Sequence, residues 1–265
     1  KWDLQCVAIE QNGETEATEK SGRSGALPWI GEGHYKRTIT IPEGCTHAEL
    51  LFDGAMAEPN VYLNGELVGG WAYGYNAFRV DISGEMKPGE NLLEVSLKNV
   101  EESSRWYPGA GIYRPVKLIT TGNAYLDPWM TYIRTTSIEG GKATIDVTAG
   151  IGSDLGDEQA IEVELLDADG RTVGRQTERG LSDGGAVYMT FSVSNPHLWT
   201  PETPYLYKAV IKYTMCGQLM DQIVQKFGIR TVKVSKDGGF QLNGTTRKIK
   251  GVCLHHDLGP IGAAV

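Results

Sequence analysis

Wherever apolar residues gather in this chain they fall, almost without exception, at every second position. That regularity sets what the chain can fold into. Tyr35, Arg37, Ile39 and Ile41 alternate with Lys36, Thr38 and Thr40, and Phe78, Val80 and Ile82 alternate with Arg79 and Asp81. A period of two sends successive side chains to opposite faces of a strand. No window sustains the 3.6-residue apolar period of an amphipathic helix, so little helix is expected. Between the runs stand turn signals. Pro42–Glu43–Gly44 closes one strand, and Asn64–Gly65 separates 61–63 from Leu67–Val68. Asn-Gly between two apolar runs marks a hairpin, because both residues tolerate the positive φ of a type I′ turn. With 34 glycines and 11 prolines and no repeat period, the composition suits many short strands joined by turns.

The runs fall into two sets. The first ends with 92–97 and 116–119, and a junction follows at Thr120–Thr121–Gly122–Asn123. The second holds 143–147, 161–166, 187–193, 206–213 and 223–227, with Asp167–Ala168–Asp169–Gly170 as a short turn. About seven strands over roughly 110 residues fit an immunoglobulin-like sandwich. The 265 residues agree with about two domains. Beyond them, 240–244 reads as a small hairpin and 248–254 as a strand running into His255–His256–Asp257. A strand that ends in a polar cluster and leads nowhere reads as the start of a third domain. Residues 246–265 are therefore expected to be ordered by packing on a sandwich or by pairing with another copy of the chain.

Apolar residues at 40% and charged residues at 22% exclude a disordered chain. No run approaches the roughly 20 apolar residues of a spanning helix, so no membrane span is expected. A net charge of −8 without basic clusters argues against a nucleic-acid partner, since phosphate contacts supply most of that affinity. Cys6, Cys45, Cys216 and Cys253 are widely spaced with no CxxC, which argues against structural zinc and is expected to leave four buried thiols. Lys1–Trp2–Asp3 is not followed by the apolar stretch of a signal peptide, and the abrupt start reads as a fragment or processed form.

Five segments carry a family resemblance: 24–35 (SGALPWIGEGHY), 51–69 (LFDGAMAEPNVYLNGELVG), 105–114 (RWYPGAGIYR), 196–207 (PHLWTPETPYLY) and 240–257 (FQLNGTTRKIKGVCLHHD). All five stand in the order found in glycoside hydrolase family 2, the β-galactosidases, β-glucuronidases and β-mannosidases, and the chain resembles the amino-terminal part of such an enzyme, most like a bacterial β-galactosidase. The resemblance implies an all-β chain: a jelly-roll-like sugar-binding sandwich over 1–121, an immunoglobulin-like sandwich over 122–235, and over 236–265 the first strand of a truncated (β/α)8 barrel. The family cleaves with retention, using two glutamates whose carboxyls lie about 5 Å apart. In the family both lie later in the barrel, so no catalytic residue is expected in this chain.

The resemblance also nominates binding residues. His255 matches a family histidine near the bound sugar, and Asp257 an acidic position of some members; ligand sites of such barrels lie at the carboxyl ends of the strands. His256 would point to the opposite face. The plainer alternative is a pair of solvated histidines at a strand end. Arg105 stands in a loop that, in the family, reaches the substrate cleft. Several members carry Asp there, so this departure leaves the substrate class open. Arg105 could contact hydroxyls or an anionic group, and Trp106, with Tyr107, could stack on a sugar face. The alternative is packing between domains. Trp71, Tyr73 and Tyr75 alternate beside glycines; they could bind carbohydrate but more often such a row is core or interdomain packing. Glu101–Glu102 do not read as a catalytic pair, because neighbouring side chains in an extended segment diverge.

The expected function is thus the non-catalytic amino-terminal part of a retaining exo-β-glycosidase, with a β-linked sugar and the remainder of its own catalytic barrel as partners and no cofactor. The competing reading is a free-standing carbohydrate-binding or adhesion module. Family members are commonly oligomeric, so a second copy is a further expected partner. The expected compartment is the periplasm or cytoplasm of a bacterium.

Overall fold

A computed structural model describes residues 31–99, 111–152, 158–179 and 185–252. These residues form seventeen strands and, among them, no helix. The described residues divide into two units, one of residues up to Thr121 together with Val252 and one of Gly122–Gly251, taken separately below.

The first unit contains β1 (Gly31–Ile41), β2 (His47–Phe52), β3 (Asn60–Leu63), β4 (Glu66–Gly70), β5 (Phe78–Asp81), β6 (Gly89–Asn99) and β7 (Val116–Thr121). They make a four-stranded sheet in the order β1-β6-β3-β4 and a three-stranded sheet in the order β5-β2-β7, with antiparallel pairing throughout. Both sheets turn their alternate apolar residues inward onto one core. Ile41, Val61, Leu63, Leu93, Val95 and Leu97 come from the first sheet, and Ala48, Leu50, Phe52, Phe78 and Val80 from the second. The period-two alternation is thus the pattern of a half-buried strand in a sandwich. The expected Asn64–Gly65 turn is present, with φ of 54° and 94°. Its side chain adds a lock: Asn64 Nδ2 donates to Asn91 Oδ1 at 2.9 Å, and Asn64 Oδ1 accepts from Leu92 N at 3.1 Å. Asn91 is buried, and its amide is satisfied by Lys87 and Gly89.

The second unit contains β8 (Leu126–Glu139), β9 (Lys142–Ile151), β10 (Gln159–Leu166), β11 (Thr172–Arg179), β12 (Ala186–Ser194), β13 (Tyr207–Met215) and β14 (Gln218–Phe227). Sheets in the orders β11-β10-β13-β14 and β12-β9-β8 enclose a core that includes Ile145, Val147, Ile161, Val163, Phe191, Ile211 and Tyr213. Four strands against three is the strand count of a constant-type immunoglobulin domain. β8 carries no continuous alternation in the sequence. The ladder to β9 breaks between Asp127 and Tyr132, where 128–131 bulge out. The expected four buried thiols are corrected for the described pair. Cys45 is only half-buried and Cys216 is exposed at φ 48° beside Gly217, because a tight hairpin turn pushes its side chain into solvent. Cys6 and Cys253 lie outside the described residues.

A small antiparallel sheet follows, of β15 (Val232–Ser235), β16 (Gly239–Leu242) and β17 (Thr245–Thr246). Asn243 at its tight turn anchors it: Asn243 Oδ1 accepts from Thr231 N at 3.0 Å, and Nδ2 donates to Trp199 O at 3.1 Å. A second tie is the ion pair Arg247 Nη1–Glu202 Oε1 at 2.6 Å. That hydrogen bond, helped by the Glu202 backbone amide and the Thr200 hydroxyl, holds the Glu202 carboxyl down to about 2, against an ordinary value of 4.5. A carboxyl whose folded value is depressed contributes stability above its unfolded value, and the contribution is lost as pH falls through the folded one. Glu202→Gln is therefore expected to flatten the acid dependence of stability between about pH 4.5 and 2. Denaturant unfolding at both ends of that window, with and without added salt, measures it; an unchanged slope in the variant contradicts the assignment.

Residues 247–252 make no ladder, and Ile249 and Val252 are exposed. Arg247 N still donates to Phe240 O of β16 at 2.9 Å, and beyond it residues 248–252 form no strand; residues 253–265, which complete the expected strand and its packing, lie outside the described residues.

Candidate functional site

Arg105, Trp106, His255 and Asp257 all lie outside the described residues, as do Glu101, Glu102, Tyr107 and His256. What the structure does describe is the pair of stems from which the segment carrying Arg105 and Trp106 departs and returns. Both are clamped to the same dipeptide. Lys98 exchanges two backbone hydrogen bonds with Ala57, at 2.9 and 3.2 Å, and Gly111 exchanges two with Met56, at 2.8 and 2.9 Å. Tyr35 Oη accepts from Ile112 N at 3.4 Å beside the returning stem.

Against this clamp lies the segment 71–77, which joins β4 to β5. It carries Trp71, Tyr73 and Tyr75, exposed at 44, 56 and 47%. The rings are not core, as such a row more often is; they face solvent on a backbone fixed from beneath. Tyr113 Oη donates to Gly74 O at 2.7 Å, and Trp71 N donates to Pro59 O at 3.1 Å. A Cβ at Gly74 would overlap the Met56 sulfur, and one at Gly70 would lie 2.6 Å from Pro59 O. Only glycine permits so close an approach of backbone to its neighbours. Trp71 stacks on Phe78 with centroids 6.0 Å apart and planes 3° from parallel, and Phe78 stacks on the core residue Phe52 at 4.7 Å and 4°. The exposed indole is the outermost ring of a stack rooted in the sandwich core. Tyr73 and Tyr75 stand 5.7 Å apart at 58°.

Burial first, and then the neighbouring Tyr73, push the Tyr75 phenol up. Burial likewise raises Tyr113, with Arg114 opposing and Tyr75 and Tyr73 adding. Both phenols stay neutral donors at working pH. Rigid rings with neutral hydroxyl tips suit a ligand with one apolar face and many hydroxyls, and they bind at little cost in side-chain entropy. The site brings together the aromatic row and the stems of the Arg105–Trp106 segment. The alternation of the three rings is written in the sequence, but their exposure is not: a Cβ at Gly69, Gly70 or Gly74 would meet Val80, Pro59 O or the Met56 sulfur, contacts that only the tertiary structure shows.

A second polar group sits on the outer face of the β5-β2-β7 sheet. Ser83 Oγ lies 3.0 Å from His47 Nδ1, His47 Nε2 lies 3.5 Å from Glu49 Oε1, and Arg79 Nη1 donates to Glu49 Oε2 at 3.0 Å. The order Ser–His–Glu resembles a nucleophile with its base. Yet the Ser83 hydroxyl accepts from Ala48 N at 3.0 Å and faces Ala48 O at 3.4 Å, so it caps a strand end rather than presenting a free nucleophile. Among the described residues no group of three His, Cys, Asp or Glu could hold a metal ion, and no helix is long and apolar enough to cross a membrane.

Residues 12–139 match the family model described as glycosyl hydrolase 2 galactose-binding domain-like, and residues 125–230 match that of glycosyl hydrolases family 2. The chain is similar to beta-galactosidase BoGH2A of Bacteroides ovatus, 37% identical over 97% of this chain and 31% of that protein. It is also similar to a putative beta-glucuronidase of Formosa agariphila, 36% identical over 99% of this chain and 26% of that protein. Among solved structures it resembles a glycosyl hydrolase family 2 member from Bacteroides cellulosilyticus, with TM-score 0.81 and 31% identity over 89% of this chain and 31% of that one. A putative beta-galactosidase from Bacteroides fragilis aligns with TM-score 0.80 and 30% identity over 94% of this chain and 40% of that one. The chain thus spans less than a third of the length of these two curated relatives.

Proposed function

The chain belongs to glycosyl hydrolase family 2, and from that premise we propose that it is the non-catalytic amino-terminal part of a retaining exo-β-glycosidase acting on β-galactosides. The observation that carries the reading is the alignment with a beta-galactosidase along 97% of this chain but 31% of that protein. Under it, the two glutamates of double displacement lie on a barrel outside this sequence. The sandwiches supply binding surface: Trp71, Tyr73 and Tyr75, with Arg105 and Trp106 on the adjoining segment, meet the sugar. His255 and Asp257 approach it from the first barrel strand. The remainder of the barrel is then the chain's own partner.

A β-glucuronide is the second reading, favoured by Arg105, whose guanidinium can hold a carboxylate in a two-pronged contact. A panel of nitrophenyl glycosides separates them. The whole protein is expected to hydrolyse the β-galactoside with retention, and the 265-residue chain alone to hydrolyse none. Hydrolysis by the isolated chain overturns the non-catalytic assignment; a whole protein that prefers the β-glucuronide moves the specificity to the second reading.

A further inference from the structure

The outer face of the β12-β9-β8 sheet carries a strip that the cleavage reading does not use. Tyr132 of β8 and Tyr188 of β12 both pair in register with Thr148 of the central strand β9. Residues in register share a face, and the neighbours Ile133, Val147 and Val187 face the core, so the two rings and the hydroxyl between them face outward. Tyr132 is 62% and Tyr188 77% exposed. Two strand spacings put the tyrosine backbones about 10 Å apart across the sheet.

The next outward row runs parallel and is polar. Arg134 Nη2 donates to Asp146 Oδ2 at 3.3 Å, and Thr190 Oγ1 donates to Asp146 Oδ1 at 2.9 Å. The cation is matched by the carboxylate, so the row offers hydrogen-bonding groups without net charge. At the other flank the 128–131 bulge lifts Trp129 and Met130 to the surface. Thr131 Oγ1 donates to Asp127 O at 2.9 Å, and Trp129 N donates to Asp127 Oδ1 at 2.8 Å. A Cβ at Gly150 would overlap Met130, so that glycine makes room for the bulge. A bulge built this way re-aims side chains at a surface that has a use.

We infer that this strip binds an extended, neutral, β-1,4-linked glycan chain. Such a chain turns the same ring face to one side at every second sugar, a repeat close to the Tyr132–Tyr188 spacing. Phenol rings stack on those apolar ring faces, the Thr148 hydroxyl meets the sugar between, and the Arg134–Asp146–Thr190 row meets the hydroxyls along one edge. An anionic polymer would instead require unmatched cations. The surface lets the chain hold a polysaccharide whether or not the attached enzyme cleaves it, so the inference stands apart from the proposed function.

Titrating the 265-residue chain calorimetrically with cellohexaose, β-1,4-mannohexaose and maltohexaose tests it. Saturable binding is expected for at least one β-1,4-linked hexasaccharide and not for the curved α-1,4-linked one. Tyr132→Ala and Tyr188→Ala are each expected to weaken it about tenfold, and Tyr188→Phe to keep most of it, since the ring does the stacking. Both side chains stand in solvent, so the variants keep the fold. The inference is overturned by absence of binding to both β-1,4-linked probes, or by binding that Tyr188→Ala leaves intact. Loss of binding in Trp71→Ala in place of the tyrosine variants assigns the sugar to the other site and overturns it equally. So does a concentration-dependent dimer that Tyr188→Ala abolishes, which marks the strip as a protein contact.

Discussion

Phe52→Ala is expected to destabilise the first sandwich by about 3–5 kcal/mol. Phe52 is fully buried on β2, and its ring lies flat against Phe78, with the planes 4° apart. Removing it takes a large apolar group from the core and leaves a cavity that close-packed neighbours fill only in part. The effect should also reach the surface. Phe78 is the ring on which exposed Trp71 rests, at 6.0 Å, so loss of Phe52 unseats the base of the stack. Denaturant titration should show the lowered midpoint. Trp71 emission, isolated by comparison with Trp71→Phe, should shift under conditions where the fold survives. A cost below about 1 kcal/mol, or an unmoved Trp71 signal, contradicts the picture of a core-rooted aromatic platform.

Asn243→Ala is expected to release the small β15-β16-β17 sheet, at a local cost of about 2–4 kcal/mol. Two effects combine. The residue sits at φ 51°, where a Cβ without a compensating polar contact is strained. Its amide also satisfies Thr231 N and Trp199 O, and both lose their partner. Trp199 is itself held by its N–H to Ile229 O at 2.8 Å and by the Arg230 guanidinium 4.3 Å above its ring. Hydrogen exchange should show loss of protection at the Thr231 and Asn243 amides while strands of the β12-β9-β8 sheet keep theirs. Asn243→Gly should recover only the backbone part, about 1 kcal/mol. Unchanged protection in the alanine variant contradicts the anchoring role.

Much of the fold was legible because sandwich strands bury one face and wet the other, and that difference writes itself into alternate residues. β5, with Phe78 and Val80 inside and Arg79 between them, is plain to read. The Asn64–Gly65 and Asn243–Gly244 turns are equally plain, since few residue pairs accept two positive φ values in succession. β8 was not legible. Its bulge inserts Pro128, Trp129 and Met130 between the alternating stretches, and only the partner strand shows where the register resumes. Nor was the exposure of Trp71, Tyr73 and Tyr75. Periodicity says which residues share a face, and whether that face is covered depends on what packs there.

The amino-acid sequence by itself determined the class of this protein: two antiparallel sandwiches, their turns, the division near Thr121 and the family to which they belong. Those features rest on local properties, the pleat of a strand and the φ tolerance of asparagine and glycine, which each short segment carries with it. The tertiary structure alone decided which surfaces are available. It placed Trp71 at the end of a ring stack, clamped the stems at Lys98 and Gly111 to Ala57 and Met56, and set Tyr132 and Tyr188 in one row across Thr148. Register between strands distant in sequence fixes such neighbours, and a one-residue slip would send every one of those side chains to the opposite face.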